Sequence, residues 1–139
     1  MELVLDASAL VGELFRQRGR RILTHPDVAA YIPPRQWDET LHELARRVSS
    51  VADQLEVDGD ELLERARALA EATIVVVPET VYEAFLDEAR ERIDDPDDAP
   101  AVALALALDA GVWTRDRDFF GAGVATWRAM VLARVLDID

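Results

Sequence analysis

The chain contains no cysteine. Disulfides and thiolate metal sites are therefore excluded, and the chain suits a reducing cytosol. It contains no lysine either, because all 15 basic residues are arginine. A P-loop kinase or NTPase needs a lysine on its phosphates. Haloacid-dehalogenase-type phosphatases and response-regulator receivers also carry aspartates at strand ends, but both use a lysine. All three classes fall. The only histidines are His25 and His42, so zinc fits poorly, and each histidine reads as a surface or partly buried polar residue. No run of about 18 or more apolar residues exists, so no membrane span is expected. Glu2 and Asp6 interrupt the first apolar run, so no signal peptide is expected. No internal repeat or low-complexity segment is present.

What is present fits one domain over residues 1–139. A chain of this length buries roughly 65–70% of its unfolded surface, enough for a core without staples. Half of the residues are hydrophobic, which argues against disorder. The net charge is −13. Such a surface disfavours broad nucleic-acid binding, since phosphates need Lys or Arg. It reads first as solubility, in keeping with a salty cytoplasm.

Periodicity predicts alternating short strands and helices. ELVL (2–5) reads as a buried strand, and Ser8 to Phe15 as a helix. RQRGRR (16–21) reads as a basic run with a glycine stop, followed by a short helix over 22–30. Tyr31 and Ile32 form a strand closed by Pro33 and Pro34. A helix from Arg35 to Val51 follows, with Trp37, Leu41, Leu44, Val48 and Val51 as its apolar stripe. VDGD (57–60) is a turn and Glu61 to Glu71 a helix. TIVVV (73–77) is the clearest strand, and Thr80 opens a helix to Ile93. Residues 99–110 alternate like a strand, but Ala and Leu favour helix, Pro100 suits a first turn and Gly111 a stop. A buried helix is expected there. VWT (112–114) and VATW (124–127) are strands, and Arg128 to Val135 is a final helix. This order predicts a three-layer α/β/α sandwich around a mostly parallel sheet. Ligands of such sheets bind beyond the strands' carboxyl ends.

Carboxylates follow those ends. Asp6 directly follows the first strand. It could cap the next helix, but Ser8 is itself a good cap, and a buried strand end is costly for an unpaired carboxylate. Glu39 lies in the first turn of the helix after the second strand. It falls about 200° round from Trp37, on a solvent face, and reaches a site only if that helix start overhangs the sheet. Glu43 shares that face and has Arg47 at i+4, an ordinary surface pair. DDPDD carries four aspartates in five residues. Asp97 or Asp98 is placed to cap the buried helix. Asp116 and Asp118 follow the VWT strand, where Arg115 and Arg117 could pair with them; Phe119 anchors this turn in the core. A like-charged pair at about 4 Å costs roughly 1 kcal/mol in water and about 4 at an effective dielectric near 20. If these groups converge, a hard divalent cation resolves the repulsion, and Mg²⁺ or Mn²⁺ suits carboxylate and water ligands.

LVLDASAL, PPRQWDETLHEL, DDAPAVALALALDAGVWTRDRDF and GVATW, in that order, resemble the PIN-domain family across nearly the whole chain. The resemblance implies a metal-dependent nuclease fold, acting mostly on RNA. It matches Asp6, Glu39, Asp98 and Asp116 to the family's four acidic positions, with Ser8 and Thr114 as supporting polar residues. Glu39 is chosen over Glu43 by its spacing from Pro33–Pro34. Asp98 is chosen over Asp95 or Asp97 because it immediately precedes Ala-Pro and the apolar helix. Asp118 reads as a loop residue paired with arginine, or at most a supporting acid. Asp6, Asp98 and Asp116 would hold Mg²⁺ or Mn²⁺, with Glu39 contributing or orienting water. Arg16 and Arg18 in the basic run, and Arg115 and Arg117 beside the site, are the arginines available to RNA. Many short members of the family are toxin ribonucleases paired with a small antitoxin, so the resemblance also implies an antitoxin partner or a homodimer. The rival expectation is a PIN-like subunit that binds RNA or a protein and cuts nothing.

Overall fold

The computed structural model describes residues 1–139. Five strands, β1 (Glu2–Leu5), β2 (Ala29–Ile32), β3 (Ile74–Val76), β4 (Gly111–Trp113) and β5 (Thr126–Trp127), form one sheet in the order β3-β2-β1-β4-β5. All four pairings are parallel. The connecting helices are α1 (Ala7–Glu13), α2 (Gln17–Leu23), α3 (Pro34–Leu55), α4 (Gly59–Thr73), α5 (Leu86–Arg92), α6 (Ala99–Leu108) and α7 (Ala129–Val135). No helix is long and apolar enough to cross a membrane.

The central strand explains the layering. A parallel strand covered on both faces is apolar throughout, and Leu3, Val4 and Leu5 are all fully buried. Alternation sends them to opposite sides. Leu3 and Leu5 join Leu10, Ile22, Leu44 and Leu69 in one core, under α1 to α4 and α7. Val4 joins Val112, Val102 and Leu104 in a second core, under α5 and α6. The fold is therefore an α/β/α sandwich.

Several expectations change. Gly19 stops nothing: the basic run continues through it as α2. A Cβ there would lie 2.1 Å from the Glu13 carbonyl oxygen, so glycine is required by close packing of α2 on α1. Residues 29–30, expected to close a helix, open β2 instead. The buried face of α3 is Gln36, Thr40, Leu44, Val48 and Ala52. Two polar side chains, Gln36 and Thr40, lie deepest on that face because both find partners inside: Thr40 Oγ1 donates to the Gln36 carbonyl at 2.7 Å, while Trp37 packs half-buried against the core and Leu41 is half-buried beside it. The segment after β3 forms two 3₁₀ turns, Glu79–Val81 and Glu83–Phe85, before α5. Thr80, Val81 and Tyr82 are weak helix formers, and the turns bury Tyr82. Residues 99–108 form the expected buried helix.

Strand order positions the site. β1 and β4 are neighbours, with Leu5 opposite Trp113. Their carboxyl ends therefore finish together, and the Asp6 N–H donates to the Trp113 carbonyl at 3.2 Å. Pro33 and Pro34 end β2 and start α3 at the same edge, with a proline at the start of the helix as its missing N–H permits.

Candidate metal centre

Asp6 and Thr114 meet because they follow paired strands. The Thr114 hydroxyl donates to Asp6 Oδ2 at 2.8 Å, and the Ser8 hydroxyl donates to the same oxygen. Thr114 Oγ1 in turn accepts the Asp116 N–H at 2.9 Å. Ser8 Oγ accepts the Arg115 N–H at 3.3 Å. Two hydroxyls thus fix the Asp6 carboxylate and tie it to the backbone of the TRDRDFF segment. Asp6 is buried, and burial pushes its pKa up. The hydroxyl hydrogen bonds pull the other way, and the Asp116 charge adds to the rise.

Beyond Thr114 the chain turns sharply. Asp116 Oδ1 accepts the Asp118 N–H at 2.9 Å and caps the 3₁₀ turn Arg117–Phe119. Phe119 is fully buried and holds that turn against the α5–α6 core. The turn brings Asp118 back beside Asp116. Asp98, at the start of α6, completes the group: carboxylate oxygens of Asp98, Asp116 and Asp118 all lie within 4.8 Å of one another.

Asp98 occupies the N-cap position of α6, yet its side chain makes no capping hydrogen bond. The expected cap is absent, and Asp97 does not supply one, since its carboxylate pairs with Arg35 at 2.7 Å. Asp98 is only 7% exposed, and its Oδ2 is buried with no hydrogen-bond partner. Burial first, then the charges of Asp6, Asp95, Asp116 and Asp118, push its pKa to about 7. A buried, unpartnered carboxylate oxygen facing two more carboxylates is costly. A divalent cation would remove the cost, and an all-oxygen donor set fits a hard ion.

The other acids are placed as follows. Glu39 stands exposed on the second turn of α3, near enough for the Asp6 charge to act on it. Partial burial, Asp6, Glu43 and Asp97 all raise its pKa, while Arg35 opposes. Glu43 is held at the α3 surface by Arg46 at 2.8 Å and Arg47 at 3.3 Å, and its pKa is lowered, first by the Arg46 hydrogen bond. Asp95 Oδ1 accepts the Asp97 N–H at 2.9 Å and shapes the loop. The ion pair expected between Asp118 and Arg115 or Arg117 does not form; Asp118 turns to the carboxylate group instead. Arg18 is committed to the buried Glu13, with Nε 3.2 Å from Oε2 and Nη2 on Oε1. Arg16 lies 3.9 Å from the same carboxylate.

A matching sequence profile, described as PIN domain, spans residues 4–136. The chain belongs to the PIN-domain family. PIN domains are generally nucleases, and this PIN domain carries the carboxylate group such a site calls for. Two solved structures resemble it. One is PAE2754 from Pyrobaculum aerophilum, at 20% identity and a TM-score of 0.66, covering 99% of this chain and 90% of that one. The other is FitAcB from Neisseria gonorrhoeae, at 21% identity and a TM-score of 0.52, covering 92% and 98%. At these identities the likeness is one of fold. No curated protein matches the chain by sequence.

One residue of the site escaped periodicity. Gln36 is almost fully buried; its Oε1 accepts the Ala7 N–H at 3.1 Å and its Nε2 donates to the Asp97 carbonyl at 3.3 Å. It therefore clamps the residue after Asp6 to the residue before Asp98. A lone glutamine between Arg35 and Trp37 carries no signal for that role.

Proposed function

We propose that this PIN domain is a Mg²⁺- or Mn²⁺-dependent endoribonuclease that cleaves single-stranded RNA at the carboxyl edge of its sheet. The observation that carries the reading is the convergence of Asp98, Asp116 and Asp118, beside an Asp6 clamped by two hydroxyls. Asp98, Asp116 and Asp118 would hold the cation, and Asp6 adjoins them through Thr114 and Asp116. When bound, the ion would supply an acidified water and offset charge growing on the scissile phosphate. Ser8 and Thr114 keep Asp6 in one orientation. Glu39, on α3 within reach of the Asp6 charge, would orient water on the solvent side. No lysine exists and neither histidine belongs to this cluster, so the carboxylates carry the proton traffic. Resemblance to the short PIN toxins supports a role in the cytoplasm as the toxin of a toxin–antitoxin pair, as a homodimer bound by its antitoxin.

Asp6→Asn tests the reading. The variant keeps the size of the side chain and the hydroxyl contacts. Its metal-dependent cleavage of a single-stranded RNA is expected to fall at least about a hundredfold, on the scale of losing one preorganised electrostatic contact. Undiminished cleavage by a folded Asp6→Asn protein would sink the mechanism. A second reading is a PIN domain that binds RNA or a protein without cutting; the net charge of −13 favours the protein, a basic partner, over the RNA. Thermal unfolding with Mn²⁺ separates the two, since a ligand that binds only the folded state raises the unfolding temperature. Lack of any such rise favours the binding module.

A further inference from the structure

Beside the carboxylate group, on the far side of Asp116, lies a pocket of about 250 Å³. Arg115, Arg117 and Arg128 line it, together with Phe120 and Trp127. We propose that this pocket binds one unpaired nucleotide of the RNA strand, the one adjoining the phosphate that is cut. The proposal rests on the ribonuclease reading and joins Arg115 and Arg117, already available to RNA by sequence, to Arg128 and an aromatic wall that the sequence did not reveal.

The first argument is charge. The chain carries 28 acidic residues against 15 arginines. Arg16, Arg18, Arg35, Arg46, Arg47, Arg90 and Arg92 all pair with carboxylates. The other eight pair with no acidic side chain, and three of those, Arg115, Arg117 and Arg128, gather in this one pocket although Asp116 lines the same space. Three free guanidiniums around one concavity, in so acidic a chain, suit an anion with several acceptor oxygens.

The second argument is the aromatic wall. Phe120 is 66% exposed, directly after the buried Phe119 that fixes the turn. Trp127 is held rigidly: a Cβ on Gly111 would fall 2.6 Å from its indole nitrogen, so the ring lies flush against β4. A cationic rim with aromatic side chains is how proteins hold unpaired nucleotides, phosphate on arginine and base on ring. A paired base has no free face to offer, so the pocket selects single strands. Its volume lies below the usual range for drug-sized ligands, which limits it to one nucleotide unit. Position is the third argument: Asp116 belongs both to the pocket wall and to the carboxylate group, so a strand seated here runs directly into the site.

The test is binding of a fluorescently labelled single-stranded oligoribonucleotide to the whole protein, in EDTA, across a range of salt. Arg128→Ala should weaken binding about tenfold and lower the slope of log affinity against log salt by about 0.7, the loss of one phosphate contact. Phe120→Ala should weaken binding by a similar factor and leave the slope unchanged, because stacking releases no counterions. Both variants should keep the wild-type thermal shift with Mn²⁺, which shows an intact fold and carboxylate group. Wild-type affinity in both variants overturns the proposal, as does failure of the wild type to bind RNA. A change of oligomeric state in Phe120→Ala with RNA binding untouched also overturns it and makes the patch a protein contact. Binding as expected with no cleavage in Mn²⁺ keeps the pocket and removes the ribonuclease reading. Cleavage with an unchanged KM in both variants keeps the ribonuclease and removes the pocket.

Discussion

Asp98 combines two properties that conflict in a protein without metal. It is buried with an unpartnered oxygen, and four other aspartates press on it. Its pKa stands at about 7 in the fold against an ordinary 3.8. Between those values the folded protein holds the proton more tightly than the unfolded chain. Raising pH through that window therefore lowers the stability of the metal-free protein. The metal-free unfolding temperature should fall between about pH 5 and pH 7.5, and Asp98→Asn should flatten that fall and raise stability at the upper end. A change of 1 kcal/mol corresponds to about 4 °C at this chain length. Mn²⁺ affinity should rise over the same window, because the ligands must be deprotonated. A metal-free stability that climbs with pH would contradict this account of Asp98. At this scale the sequence was legible in part. Asp6 and Asp98 stood out by following a strand and preceding an apolar helix. Asp116 was set apart from Asp118, which read as a loop residue, yet the structure brings both into the group, because a turn closed by the Asp118 N–H on Asp116 Oδ1 swings Asp118 back. Composition carries no trace of that bond.

α3 shows why hydrophobic periodicity reads an element and shifts the centre of its inner face. Trp37, Leu44 and Val48 do face the core, but the most deeply buried positions of the first turns are Gln36 and Thr40. A buried polar side chain is tolerated only with its partners. Those partners are backbone groups of α1 and of the acidic loop, distant in sequence. Gln36→Leu keeps the volume and removes the clamp. It leaves the Ala7 N–H and the Asp97 carbonyl without the amide, at about 1–3 kcal/mol for a buried unsatisfied group. The variant should unfold roughly 4–12 °C lower, and its Mn²⁺ affinity should weaken as Asp6 and Asp98 lose their common tie. An unchanged unfolding temperature, measured by circular dichroism, would show that the clamp is idle. The basic run carries the same lesson. Gly19 looked like punctuation, whereas it is the point where α2 touches the backbone of α1. Glycine marks both situations alike, and only the packing tells them apart.

At the scale of the molecule, alternating strands and helices were enough to give a parallel α/β/α sandwich. They did not give the strand order. Placing β4 beside β1 sets Asp6 against Thr114 across 108 positions of chain. That adjacency turns scattered acids into one group at one edge. The chain as a whole is strongly acidic, so any affinity for a polyanion would have to come from a bound cation and from arginines that no carboxylate engages. The central claim is that Asp98, Asp116 and Asp118 form a divalent-cation site. A crystal soaked in Mn²⁺ and measured for anomalous scattering tests it most directly. The expected result is a manganese peak coordinated by oxygens of those three aspartates, absent from Asp98→Asn crystals soaked in the same way. No peak there in the wild-type protein, or a peak coordinated elsewhere on the acidic surface, would contradict it.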